Sequence, residues 1–392
     1  MNMRDMKEEV REHLRRGIIP FWASLRDDVY GGFYGYMSFD GIVDEGAVKG
    51  CILNSRITWF FANAYLVFGE ESLLSEARHG FEFMKECCLD KEYGGVFWSV
   101  KYDGTPEDTT KHTYNQAFAV YALSSYYDAS KDEESIRIAQ GLYELIEEKC
   151  RDAGGYLEGF DREFSPVEND KLSENGVIAQ RTMNTLLHVF EAYTEFYRVT
   201  GKREVKERLE WMLDIFAEKM YNPELHRQEV FFDAEYHSLI DLHSYGHDIE
   251  TAWLVDRGVE IIGNPAYAAK MTPITRDLTR KVYETAYNRH SLANECERGV
   301  VDTDRVWWVQ AEAVVGFLNG YEKDASRTEY LEAAKDIWQY IKTYVIDARR
   351  DSEWYWLLDE DGVPYEDKPI VEPWKCPYHN GRMCMEVIRR NI

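Results

Sequence analysis

The sequence predicts an all-α fold: a closed (α/α)6 barrel, a toroid of six helix pairs, with short β-hairpins in the long loops at one end. Three observations predict it. Glycine pairs, Gly31-Gly32, Gly94-Gly95 and Gly154-Gly155, recur at intervals of roughly 60 residues, a period typical of a repeated supersecondary unit. Between them, helices that are apolar nearly all round alternate with helices that carry one apolar stripe. The connections alternate as well, short after the first kind and long before it.

Taken in order, the spacing predicts helices near 3–24, 48–69, 70–88, 111–129, 131–149, 181–200, 202–220, 246–262, 265–288, 306–321, 326–345 and 380–391. Thr113 to Tyr127 (TYNQAFAVYALSSYY) is apolar or small on every side, and Ile57 to Phe68 and Met183 to Tyr197 are similar, which implies burial all round. Asp132 to Lys149, Lys202 to Met220 and Glu329 to Val345 each have a charged face and so belong outside. The short links read GEES, ASKD, TGKR and GNP. In the long ones the glycine pairs run into FYGYM, VFWSV and YLEGF, and the first two then reach Asp40-Gly41 and Asp103-Gly104. Such strands between turn dipeptides read as hairpins. An open superhelix of helix pairs would share this alternation. Long connections all at one end favour closure around a single pocket. No Pro-, Gly- or Ser-rich linker divides the chain, so 1–392 reads as one domain.

Composition limits the partners. The 392 residues are 45% hydrophobic and 30% charged, ordinary for a folded soluble chain. Lys plus Arg number 46 against 71 Asp plus Glu, a net charge of -25. This balance disfavours nucleic acid, whose phosphates need basic grooves, and anionic membranes. Met1 to Arg16 alternates charge without an apolar core for a signal peptide, and no apolar run approaches the roughly 20 residues that span a bilayer. Seven scattered cysteines read as reduced thiols in a cytoplasmic protein. An acidic surface with no evident exposed apolar face points to a monomer.

The starts of the inner helices face the hairpin loops, and unusual polar residues gather there. Leu242-His243-Ser244-Tyr245-Gly246-His247-Asp248-Ile249-Glu250 opens the eighth helix, with His247 and Glu250 spaced to share one side of its first turn. The second helix brings Asn54, Ser55 and Arg56, and the fourth His112, Tyr114, Asn115 and Gln116. The sixth brings Asn184 and His188, and the tenth Trp307, Trp308, Gln310 and Glu312. The twelfth opens with Trp374-Lys375-Cys376-Pro377-Tyr378-His379-Asn380-Gly381-Arg382. Singly, each has a plain explanation: His188 as a bonded core histidine, Arg56 as the partner of a buried carboxylate, Trp308 and Trp374 as packing. Together they are costly, at about 1–3 kcal/mol for each unsatisfied buried group, and their shared location asks for a function.

Three chemistries compete. His243-x3-His247 and Cys376-x2-His379 have metal-ligand spacing, but Gly246 makes one continuous helix through both histidines unfavourable. Glycoside hydrolysis needs two flanking carboxylates, for which Glu250, Asp248, Glu312 and Glu174 are available, yet these ends are richer in His, Arg and Trp. Proton abstraction beside a carbonyl needs a base near neutral pKa, a second acid/base on the opposite face and a cation for an enediolate. Histidine suits the first two roles, Arg56 the third, and tryptophan suits the apolar face of a sugar. This fits best.

The chain resembles the cellobiose 2-epimerases of the N-acylglucosamine 2-epimerase superfamily. The resemblance rests on IIPFW with GGFYGY, NSRITWFFANAY, KHTYNQAFAVYALSSYY, LSENG, MNTLLHVFEAYTE, HSYGHDIETAWL, RVWWVQAEAVVGF and PWKCPYHNGRMCMEV. These run from near residue 18 to the C-terminus, with nothing matched from Asn264 to Val301. It implies an (α/α)6 barrel with neither cofactor nor metal, and epimerisation at C2 of the reducing-end glucose of β-1,4-linked disaccharides. It implies His247 and His379 as the catalytic histidines, with Arg56, Asn184, His188 and Glu250 around the reacting sugar. Trp308 and Trp374 would hold the disaccharide, and Tyr114 matches a pocket tyrosine. Relatives in the wider superfamily act on N-acetylglucosamine or isomerise mannose, and hydrolases also occur on α/α toroids.

Overall fold

The computed structural model describes residues 2–168, 171–172, 175–349 and 353–392. Helix α1 (Met3–His13) passes through a π-helical turn, Leu14–Ile18, into α2 (Ile19–Ser24). There follow α3 (Cys51–Phe68) with α4 (Glu71–Phe83), α5 (Thr113–Ser130) with α6 (Glu133–Leu145), and α7 (Met183–Thr200) with α8 (Arg203–Ile215). The last pairs are α9 (Tyr245–Ile262) with α10 (Pro265–Thr285) and α11 (Trp307–Lys323) with α12 (Thr328–Tyr340), after which α13 (Tyr378–Arg389) ends the chain. The final turns predicted for four outer helices are present as π-helix, at Met84–Cys88, Ile146–Cys150, Phe216–Met220 and Ile341–Val345.

The ring closes. α3 packs on α5, α5 on α7, α7 on α9, α9 on α11, α11 on α13, and α13 returns to α3. Each of α4, α6, α8, α10 and α12 backs the inner helix that precedes it, and α1 backs α13. This is the (α/α)6 barrel, and the return contact excludes the open superhelix. The short links work as helix caps: Gly69, Gly201 and Gly263 take left-handed φ of 69°, 65° and 64°, each sending its N–H to a carbonyl one turn back. Lys131 adopts the same conformation, φ 59°, without a glycine.

Two side-chain devices fasten the hairpin loops onto the inner helices. In the first, an amide or acid in the first turn of an inner helix accepts a loop N–H: Asn54 from Phe33 at 2.9 Å, Gln116 from Val96 at 2.7 Å, Gln310 from Leu292 at 2.8 Å, Asp248 from Gln228 at 3.2 Å. Gly95 (φ +74°) belongs to this device, since an added Cβ would lie 2.8 Å from Gln116 Oε1. In the second, a cation just ahead of an inner helix reaches a turn acid after the preceding outer helix. Lys49 binds Asp27 at 2.6 Å, Lys111 binds Asp90 at 3.1 Å, Arg181 binds Asp152 at 2.7 Å and Lys375 binds Glu353 at 2.8 Å. Both devices hold the hairpin end of the barrel rigid around the helix starts. Among the described residues no helix is long and apolar enough to cross a membrane.

Candidate active site

The inner helices all begin at the hairpin end, so the positive ends of their dipoles converge there. The candidate residues lie on the first two turns of those helices, with Trp374 just ahead of α13. His247, on the first turn of α9, has its ring 4.8 Å from the indole of Trp308, the second residue of α11. His379, on the first turn of α13, lies 5.4 Å from the same indole. Two histidines 132 positions apart (379 − 247) are thus brought onto one tryptophan.

The two rings are held by different chemistry. His379 Nδ1 meets Glu312 Oε1 at 2.7 Å, while His247 Nδ1 meets the Ser244 hydroxyl at 2.7 Å. Ser244 is the N-cap residue of α9 but makes no capping bond with its side chain. A serine cap is ordinarily worth about 1 kcal/mol. Burial and the charge of His188 push the His247 imidazole down to about 3, and burial and Arg382 hold His379 well below its ordinary value. Burial thus favours the neutral form of both rings.

Glu250 does not turn to His247. Its Oε1 accepts from Arg382 Nη2 and lies 4.0 Å from His379 Nδ1. The helical spacing of His247 and Glu250 puts them near each other without joining them, because the buried guanidinium is the stronger partner for a carboxylate. Burial and the neighbouring Glu312 charge push Glu250 up to about 8. Arg382 also reaches Glu312 at 2.6 Å and Glu191 at 2.5 Å, and donates to Tyr378 Oη. Burial raises Glu312; for Glu191 burial is outweighed by Arg382 and His188, which hold it far below the carboxylate range. Glu191 also accepts from Tyr378 and meets His188 Nδ1 at 2.9 Å.

Arg56 is 2% exposed on α3, and among the described residues no carboxylate lies within ion-pair distance. Its Nη2 donates to Tyr114 Oη at 2.7 Å, Nη1 faces Cys376 Sγ at 3.9 Å, and Nε has no hydrogen-bond partner among the described residues. The guanidinium lies against aromatic rings, 4.2 Å from the centroid of Phe118 and 5.9 Å from that of Trp374. Tyr114 packs edge-on to His188 at 5.0 Å and 5.9 Å from Trp374, and Trp98 joins Trp374 at 5.7 Å. Asn184, one turn ahead of His188, keeps a buried Oδ1 without a hydrogen bond among the described residues.

Residues 9–380 match the N-acylglucosamine 2-epimerase (GlcNAc 2-epimerase) family. The chain is 51% identical to a cellobiose 2-epimerase of Eubacterium cellulosolvens, over 99% of both chains. A sugar epimerase from a ruminal bacterium superposes with a TM-score of 0.97 at 47% identity, covering 99% of each chain. For the cellobiose 2-epimerase of Bacillus thermoamylovorans the TM-score is 0.96 at 44% identity, covering 99% of this chain and 100% of that one. The chain belongs to the N-acylglucosamine 2-epimerase family. It is a carbohydrate epimerase, hence an isomerase.

In this epimerase His247, Trp308, His379, Glu312 and Glu250 form one contact chain, and Arg382, Glu191 and Tyr378 join it to His188, Tyr114, Arg56 and Trp374, whereas Asn54, Gln116 and Gln310 bond the hairpin loops. The metal spacings do not converge: His243 Nε2 turns to Asp248 Oδ2 at 2.9 Å, away from the Ser244 partner of His247, and Cys376 faces Arg56 while His379 faces Glu312. Glu250, Glu312 and His379 do bring three ligand atoms within 4.8 Å of one another, but the Arg382 guanidinium is already bonded to both acids. Of the hydrolytic acids, Asp248 is part of a hairpin attachment and Glu174 lies outside the described residues. Sequence reasoning missed Ser244, Glu191, Tyr378 and Arg382 as members of the site. Arg382 had one signal, its position one turn after His379 and Tyr378 on a short helix.

Proposed function

We propose that the protein inverts C2 of the reducing-end glucose of β-1,4-linked disaccharides, cellobiose to glucosyl-mannose and lactose to epilactose. The observation that carries this reading is the pair of histidines, His247 and His379, set against the same indole from different helices. Inversion through an enediolate needs a proton acceptor on one face of C2 and a donor on the other.

His379 assists opening of the terminal pyranose to the aldehyde. His247 takes the C2 proton through the ring nitrogen that Ser244 leaves free. The negative charge that builds on the enediolate meets Arg56, whose buried guanidinium lacks a carboxylate among the described residues, and the convergent helix starts. His188 and Asn184 bond neighbouring hydroxyls. Rotation about C2–C3 presents the other face, where His379, protonated from solvent as the enediolate charge builds, gives up that proton, and His247 releases its own to solvent. Glu312, bonded to His379 Nδ1, favours the protonated ring that this step requires. Glu250 serves through Arg382 and His379, in place of the contact to His247 that sequence spacing suggests. Trp308 stacks on the reacting sugar, and Trp374 offers its ring to the second one. The chemistry moves protons only, so no redox group or nucleotide is called for.

The test is incubation with cellobiose in D2O. Deuterium at C2 and a mannose-configured reducing end are expected; free glucose would mean hydrolysis. Activity on N-acetylglucosamine or mannose with none on cellobiose would move the chain to the monosaccharide branch. His247→Ala and His379→Ala are each expected to lower kcat by at least about 1000-fold with the fold intact, consistent with general acid–base contributions of about 10²–10⁴.

A further inference from the structure

The cap position of α9 is anomalous. Among the inner helices, Thr182 uses its side chain in the usual way, accepting the N–H of Thr185 at 3.0 Å, and His112 accepts that of Tyr114 at 3.2 Å. Ser244 has the residue type and extended backbone of an N-cap (φ -83°, ψ 101°), yet its hydroxyl is turned 2.7 Å from His247 Nδ1. Its backbone is fixed by strand pairing, Ser244 opposite Glu295 and His243 opposite Cys296, so the hydroxyl stands on a rigid base. Ser244 is 6% exposed. The helix forgoes the capping bond and the histidine gains one.

We infer that Ser244 is a positioning residue for His247, whose hydroxyl oxygen accepts the Nδ1 hydrogen and thereby presents Nε2 to the sugar. This rests on the epimerase reading given above. In both states in which His247 works, the neutral base and the imidazolium, Nδ1 carries a hydrogen while Nε2 exchanges the proton. A hydroxyl accepts that hydrogen in both states without adding charge. A carboxylate in the same place, as Glu312 is for His379, would favour the imidazolium. The neutral partner therefore keeps His247 a base, whereas Glu312, when ionised, steadies the imidazolium that His379 becomes as the enediolate forms. The two rings differ in what stands behind them, and that difference sorts their roles.

Three variants and two readouts test this. With cellobiose, Ser244→Ala is expected to lower kcat about 10- to 100-fold with KM within about 2-fold, and Ser244→Thr, which keeps a hydroxyl, to restore most of the loss. Ser244→Asp is expected to move the acidic limb of the kcat profile upward in pH, as an anion behind the ring raises its pKa. Independently of activity, 15N shifts of labelled histidine, with His247 assigned by His247→Gln, should show Nδ1–H in the wild type and a mixture of tautomers in Ser244→Ala. Wild-type kcat and an unchanged His247 tautomer in Ser244→Ala would overturn the inference. So would a loss confined to thermal stability, which would return Ser244 to an ordinary helix cap. If no sugar is turned over but the tautomer responds, the positioning holds and the substrate reading fails.

Discussion

At the residue scale, the candidate site was legible where a residue type carries its own chemistry. Histidines beside a helix start, an arginine in an apolar helix and tryptophans among small residues are anomalies that composition alone exposes. What could not be read was which acid serves which base. Arg382 bonds Glu191, Glu250 and Glu312, partners on three different helices, and no local spacing encodes such a choice. Glu250 is the clearest case, since its helical spacing pointed to His247 and the buried guanidinium took it instead. Arg382 is also the cation on which these acids depend. Replacing it with Met leaves carboxylates buried without their partner, a change that costs about 3–5 kcal/mol when one half of a buried pair is removed. Arg382→Met should therefore fall in urea midpoint by that amount and lose epimerisation with it. Glu250→Gln, which keeps the shape and matches the protonated acid that burial favours, should cost far less stability. Equal losses in the two variants would mean that Glu250 is held ionised.

At the element scale, the alternation of helix kinds was fully legible, and the six-pair ring follows from it because a helix apolar all round has no place except inside. The polar residues at the inner helix starts were read together as a pocket, and here the structure divides them. Asn54, Gln116 and Gln310 face the hairpin loops and bond their backbone, while Arg56, Tyr114 and Trp308 face inward. The first-turn position of these amides repeats from helix to helix, which marks structure, whereas the inward residues differ in every repeat, which marks a site. Gln116 shows what the attachment is worth: it accepts from Val96 N and donates to Val96 O. Gln116→Leu orphans both backbone groups at about 1–3 kcal/mol each. The variant should lose stability accordingly, with hydrogen exchange rising first at Val96 and Phe97. Protection retained there would show that the hairpin is held by packing alone.

At the scale of the whole molecule, the ring concentrates titratable groups in its interior, and this sets how stability depends on pH. Burial depresses His13 to about 4 and His247 to about 3, and also lowers His188 and His379. A histidine whose folded pKa lies below its unfolded value of about 6.5 binds its proton more readily in the unfolded chain. Its contribution is present above that unfolded value and is lost as pH falls towards the folded one. Glu158 and Glu250, both pushed up to about 8 with burial as the main cause, act in the opposite sense: their contribution is present below about 4.5 and is lost as pH rises to 8. Between pH 6.5 and 4.5 the two sets partly cancel. Below 4.5 both acids are protonated in either state and offset nothing, while the histidines continue to draw protons to the unfolded chain, each at up to about 1.4 kcal/mol per pH unit. Glu191, held ionised by Arg382, adds to the loss in the same range. Urea midpoints measured from pH 8 to 3 should therefore rise slightly to about pH 6.5 as the two acids take up protons, fall gently to about 4.5 and then steepen. His13→Phe, which removes one imidazole far from the pocket along with its bond to Trp354, should flatten the limb between 6.5 and 4 without moving the kcat profile. A midpoint that fell uniformly across the whole range would show that exposed carboxylates, and not the buried imidazoles, govern acid unfolding of the barrel.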